Sequence, residues 1–218
     1  MEEKPWFKQY DQGMPYSLRP YPQRTLLDIV STTTQQRPDH IAMVFKGARI
    51  VYSELERLSD AFSAALIALG VKKGDRVALL LPNCPQFVIA QLGIWKASAI
   101  AVPINPLYTE DELVHMLNEC GTETAVVLSR FYTKVQGLHS HNGPGRTNLK
   151  RVIATNIKVF FPPLLRFLFT ILIERKEGHR AVLNSEGLWM KDLLNQYDGA
   201  PKLNIKVGPN ESNILRAK

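Results

Sequence analysis

The chain has 218 residues, of which 45% are hydrophobic and 22% charged, ample for one core and for a domain and a half at most. Its net charge of +7 is uneven: residues 1–145 hold 14 Lys/Arg against 14 Asp/Glu, and residues 146–218 hold 13 against 6. A basic last third suits phosphates or anionic lipid, and without a recognition motif it does not argue for nucleic acid.

Residues 1–24 read as an irregular, aromatic arm, with prolines that exclude a helix or a central strand. The arm is expected to pack its rings onto the body. No apolar stretch of a secretory signal appears in it. Thr25 can cap a helix running to Gln35, and Ile41–Phe45 with Arg49–Tyr52 predicts a hairpin about Lys46-Gly47. Ser53-Glu54-Leu55-Glu56 has the form of a capping box. It opens a helix with Leu55, Leu58, Phe62, Ala65, Leu66 and Leu69 on one face, closed by Gly70.

From Gly74 to Leu128 the pattern becomes strand, helix, strand, helix, strand. Arg76–Leu81, Ala99–Val102 and Thr124–Leu128 are apolar without alternation, as strands covered on both faces are. Asn83 is the candidate cap of the first intervening helix. Thr109–Glu112 is a capping box for the second, which ends at Gly121. The rhythm implies parallel pairing and right-handed crossovers, hence an α/β, doubly wound, mostly parallel sheet with flanking helices. It does not imply a dinucleotide site, because Leu81-Pro82-Asn83-Cys84-Pro85 occupies the place of a G-x-G-x-x-G.

Cys84 and Cys120 form no C-x-x-C pair and read as free, buried thiols of a reducing compartment. His139 and His141 lie in a Gly/Pro loop with no third ligand nearby, and His115 reads as surface or packing. Arg151–Ala154 is a further short strand, and Leu188–Gln196 an amphipathic helix.

Between the last two lies an apolar insertion, residues 158–176. Its run Val159–Ile173 has 15 residues and contains Pro162, Pro163 and Arg166. A bilayer span takes about 20 apolar residues, and an arginine near its centre costs roughly 2.5–3.5 kcal/mol. The segment therefore does not span. Two readings stay open: a helix folded into the parent domain, or an interfacial anchor. In the second, Phe160, Phe161, Leu165, Arg166, Phe167 and Phe169 contact the lipid boundary, and Lys158, Arg175 and Lys176 add attraction to an anionic surface.

An ordered set of short motifs accompanies these elements. Pro5-Trp6 … Tyr10 … Gly13-Met14-Pro15 is followed by Arg37-Pro38-Asp39, Tyr52-Ser53-Glu54-Leu55 and Gly70-Val71 … Gly74-Asp75-Arg76-Val77. Leu81-Pro82-Asn83 and Pro103-Ile104-Asn105-Pro106-Leu107-Tyr108-Thr109 … Glu112-Leu113 complete it. In this order and spacing it resembles the amino-terminal region of the AMP-forming acyl-CoA synthetases, within the adenylate-forming ligase superfamily. The Pro-Trp arm is similar to that of the bacterial long-chain fatty-acid–CoA ligases. The resemblance is strong over residues 4–130 and looser beyond.

It implies that residues 25–218 are a partial AMP-binding amino-terminal domain. The complete enzyme would use ATP, Mg2+ and CoA to convert a fatty acid to acyl-CoA, AMP and pyrophosphate. The family's phosphate loop, Tyr-Thr-Ser-Gly-Thr-Thr-Gly-x-Pro-Lys-Gly, does not occur in these residues, nor do its Tyr-Gly-x-Thr-Glu motif and carboxy-terminal catalytic lysine. In the family that loop follows soon after a stretch like Pro209-Asn210-Glu211 … Ile214-Leu215. The expectation is an inactive fragment carrying no catalytic, cofactor or metal residue. The remainder of the enzyme and an anionic membrane surface are its expected partners, and its expected place is the cytoplasm, peripheral on the inner face of the cell membrane. The alternatives are one half of a split ligase, or a non-catalytic module that binds a membrane surface or a protein.

Overall fold

The computed structural model describes residues 4–17, 19, 24–138, 147–184 and 187–201. Five parallel strands form its centre: β3 (Arg76–Leu80), β4 (Ile100–Pro103), β5 (Thr124–Leu128), β6 (Arg151–Thr155) and β7 (Leu188–Trp189), in the order β4-β3-β5-β6-β7. An antiparallel hairpin, β1 (Ile41–Phe45) and β2 (Ala48–Val51), precedes them. Lys46 and Gly47 both take positive φ, 51° and 90°, as a two-residue turn of right-handed strands requires.

Helices cover both faces of the sheet because the buried strands alternate between two cores. Val77, Leu79, Val126, Leu128 and Ile153 point to one face. There they meet α2 (Tyr52–Ala68), α3 (Pro85–Lys96) and α7 (Met190–Gln196). Ala78, Leu80, Ala125, Val127, Val152 and Ala154 point to the other, against α4 (Glu110–Glu119) and α5 (Tyr132–Gln136). This is the doubly wound α/β sheet that the strand pattern implies. α1 (Leu26–Gln36) lies against α2, and α6 (Pro163–Leu172) follows β6.

Several local expectations change. The capping box at Thr109 forms, with the Thr109 Oγ1 and Glu112 carboxylate bonds both in place, and Thr25 makes the same motif with Asp28. The box at Ser53 does not form. α2 starts two residues earlier, after Val51, and Glu56 is turned inward toward Lys96, at 3.3 Å. Asn83 does not cap α3 either: Cys84 precedes the helix, and Pro85 at its first position needs no hydrogen-bond partner for a missing N–H. Leu188 and Trp189 are an edge strand rather than the start of a helix, because they pair with Ile153 and Ala154. The arm rings pack on one another, Phe7 on Tyr16 at 4.7 Å and on Tyr10 at 5.6 Å. Trp6, Tyr10 and Tyr16 stay exposed. His139, His141 and the tail from 202 to 218 lie outside the described residues.

Candidate functional site

β3 continues through α3 to β4 on one side, while β5 lies on the other side of β3, so the connections diverge at the β3/β5 boundary. In open α/β sheets the crevice outside the carboxyl ends at such a boundary is where ligands bind. Here that crevice is a cavity of about 610 Å³. Pro82 and Asn83 leave β3 into it, Asn105 to Leu107 follow β4, and Arg130 and Phe131 follow β5. The Arg130 guanidinium sits 5.2 Å above the Phe131 ring.

α6 and the residues around it close the crevice. Asn156, at the end of β6, is the hub: its Nδ2 donates to Glu174 Oε1 at 2.8 Å and to the His179 carbonyl at 3.1 Å. Its own carbonyl accepts from Gln86 Nε2 at 2.9 Å. Lys158 Nζ lies 2.6 Å from Glu174 Oε2, and both side chains are largely buried. With its carboxylate paired and hydrogen-bonded, Glu174 is a tolerated buried charge. Phe161 and Phe169 meet edge to face at 5.3 Å, and Phe169 touches the His179 ring at 5.4 Å. His179 is buried; desolvation first, then the nearby Arg130 charge, hold its pKa below the ordinary value, against Glu177 and Glu174.

The expected lipid-contact residues therefore separate. Phe161 and Phe169 face inward, and their rings bind α6 to the body. Phe160 is half-buried against the larger core, and Leu165 is half-buried. Arg166 donates to the carbonyls of Val159 and Phe161, and Lys158 is taken up by Glu174. Phe167 alone of the six is an exposed apolar side chain, at 62%. Leu164, Leu168, Ile171 and Leu172 join it on an outward apolar stripe that the aromatic residues did not reveal. The i, i+3, i+4, i+7 spacing from Leu164 carried that signal.

The described turns after β3 and β4 do not fit the phosphates of ATP. Pro82 and Pro85 flank the turn after β3, Pro103 and Pro106 the segment after β4, and none of these can offer a backbone N–H. Neither cysteine is an activated nucleophile: burial pushes the Cys84 thiol up to about 11, and Cys120 is raised by the same cause. Among the described residues no cluster of three or more His, Cys, Asp or Glu is placed to hold a metal ion. No helix of the described residues is long and apolar enough to cross a membrane.

Residues 30–163 match the family model of the AMP-binding enzyme. A long-chain-fatty-acid–CoA ligase of Bacillus subtilis is 32% identical over 176 residues, 80% of this chain and 30% of the relative. One from Escherichia coli is 39% identical over 130 residues, 59% of this chain and 23% of the relative. Among solved structures, a long-chain-fatty-acid-CoA ligase from Archaeoglobus fulgidus superposes with a TM-score of 0.67 at 20% identity, covering 94% of this chain and 36% of that one. At that identity the likeness speaks for the fold. The chain spans less than a third of the length of these two curated relatives.

Proposed function

This chain belongs to the AMP-binding enzyme family, and from that premise we propose that it forms the amino-terminal α/β portion of a long-chain fatty-acid–CoA ligase. The complete enzyme joins a fatty acid to CoA at the expense of ATP, releasing AMP and pyrophosphate, with Mg2+ on the nucleotide. The observation that carries the reading is the 176-residue match to a long-chain ligase, which runs well past the ordered motifs at the front of the chain. The part played by these residues is to build and close one sheet of the enzyme. Adenylation requires the phosphate loop and the catalytic lysine, neither of which is among the 218 residues. The polypeptide by itself is thus expected to give no palmitate-dependent ATP–pyrophosphate exchange, and exchange above background would contradict this.

A second element of the proposal concerns α6. The reading that this helix meets an anionic bilayer is supported by its outward stripe of Leu164, Phe167, Leu168, Ile171 and Leu172, next to exposed Arg175 and Lys176. Each large apolar side chain contributes roughly 1.5–3 kcal/mol when fully buried, and each cation about 1 kcal/mol at an anionic surface. An enzyme whose substrate partitions into lipid gains access to it by docking there. Co-sedimentation with anionic vesicles tests this. The Leu164→Ser/Phe167→Ser double variant is expected to lose most of the binding, and Arg175→Gln/Lys176→Gln to lose its salt-sensitive part. Equal sedimentation of wild type and the first variant would remove the lipid contact and leave the stripe to another segment of the ligase.

A further inference from the structure

Beside α6, and sharing His179 with the crevice, a second cavity of about 370 Å³ opens between the end of β6, the end of β7 and the start of α7. Its polar lining is strongly asymmetric. Lys158, Arg166, Arg180 and Lys191 bring four cations; Glu174 and Asp192 bring two carboxylates. The cations are not equally committed. Lys158 is held by Glu174 at 2.6 Å, and Arg166 donates to two backbone carbonyls. Arg180 and Lys191 make no ion pair or side-chain hydrogen bond among the described residues. His179 completes the wall, only 4% exposed, and its Nδ1 is buried without a hydrogen-bond partner among those residues. A buried polar nitrogen left unpaired costs free energy that a ligand can recover.

We propose that this cavity is a binding site for a phosphate monoester dianion, held by Arg180 and Lys191 with Arg166 and the His179 ring at its walls. The charge balance selects the class. Burial keeps His179 neutral, so the lining carries a formal +2 that a dianion cancels, whereas a carboxylate leaves half of it. Arginine and lysine together are the usual partners of phosphate oxygens. The volume exceeds what a phosphate group needs, leaving room for the group it esterifies, and the half-buried Trp189 lines that space. The same chemistry is offered by a soluble phosphate ester and by the headgroup of a phosphatidic acid. The site does not depend on the ligase reading: it stands on the cavity and its cations.

The test is titration calorimetry of the 218-residue protein with inorganic phosphate at constant ionic strength, beside sedimentation with vesicles containing phosphatidic acid or, at equal charge, phosphatidylglycerol. Arg180 and Lys191 are exposed, so Arg180→Gln/Lys191→Gln is expected to keep the wild-type thermal unfolding curve. Saturable phosphate binding that weakens about tenfold or more in this variant, a loss of about 1.4 kcal/mol, supports the site and assigns it to a soluble ester. Preference for phosphatidic acid over phosphatidylglycerol, lost in the variant without phosphate binding by the wild type, supports it and assigns it to a lipid headgroup. No saturable phosphate binding and no headgroup preference would overturn the proposal, as would either signal persisting unchanged in the variant. Phe167→Ser, on the outward face of α6, should leave phosphate binding intact.

Discussion

α3 and α6 make the same opening. Each begins with proline at its first helical turn, and each reads as an apolar segment of ten or twelve residues. Yet α3 buries Pro85, Gln86, Ile89, Ala90, Leu92, Gly93, Ile94 and Trp95, while α6 buries Phe169 alone. The difference is one of shape and charge placement rather than hydrophobicity. Ala90 and Gly93 let α3 approach α2 closely; a Cβ on Gly93 would lie 2.8 Å from Phe62. Lys96 then fixes the pair, 2.7 Å from Asp60 and 3.3 Å from Glu56. α6 has bulky side chains on all sides and no Gly or Ala, so one face seats on the body through Phe169 and the rest stays outward. A core helix needs surfaces that interdigitate, and hydrophobic length alone does not supply them.

The contrast can be broken in several places. Lys96→Met should have the largest effect, destabilising the protein by about 3–5 kcal/mol in urea unfolding, because it takes the cation from Asp60, whose side chain is largely buried. A loss under about 1 kcal/mol would mean that the Asp60 carboxylate is solvated. Next, Ile94→Ala in α3 should cost about 2–5 kcal/mol, against no more than about 0.5 kcal/mol for Ile171→Ala in α6. Similar costs at the two positions would show that α6 is covered in solution. Gly93→Ala should cost about 1–3 kcal/mol by overpacking against Phe62; neutrality there would mean that α2 and α3 separate readily.

The smallest effect sharpens how α6 is attached. The folded-state pKa of His179 lies below its ordinary 6.5, so as pH falls past about 6.5 the unfolded chain binds a proton that the native protein refuses. Stability is then full above that pH and declines below it. The urea midpoint should fall as the pH drops below about 6.5, and fall less in His179→Gln. Equal drops in the two proteins would place the His179 ring in solvent.

The sheet was legible because its strands are short, apolar and uninterrupted, and because helical spacing resumes between them. Local signals succeeded only where nothing distant competed. The pattern Ser/Thr-x-x-Glu occurs at both Ser53 and Thr109. Glu112 is exposed and keeps its bond to Thr109, whereas Glu56 is drawn to Lys96, a distant residue on the next helix of the layer. Leu188 and Trp189 continue the helical spacing of Leu193 and Leu194 backward, but a sheet edge claims them. Aromaticity marks most of the expected lipid contacts, and it also marks Phe161 and Phe169, the two rings best suited to bind the helix down. Asn156 carries no local signal at all. Its role depends on Gln86 from α3 and on Glu174 and His179 from the turn after α6.

The most direct test of the ligase assignment is to recover the native protein from its source cells with an antibody against residues 74–128. The recovered material and the recombinant 218-residue polypeptide are then assayed side by side for palmitate-dependent ATP–pyrophosphate exchange. The account predicts exchange in the native material, together with peptides of a Gly/Thr-rich phosphate loop on the same or an associated chain, and none in the recombinant polypeptide. Native material with neither exchange nor such peptides would contradict it, and so would exchange catalysed by the 218 residues alone.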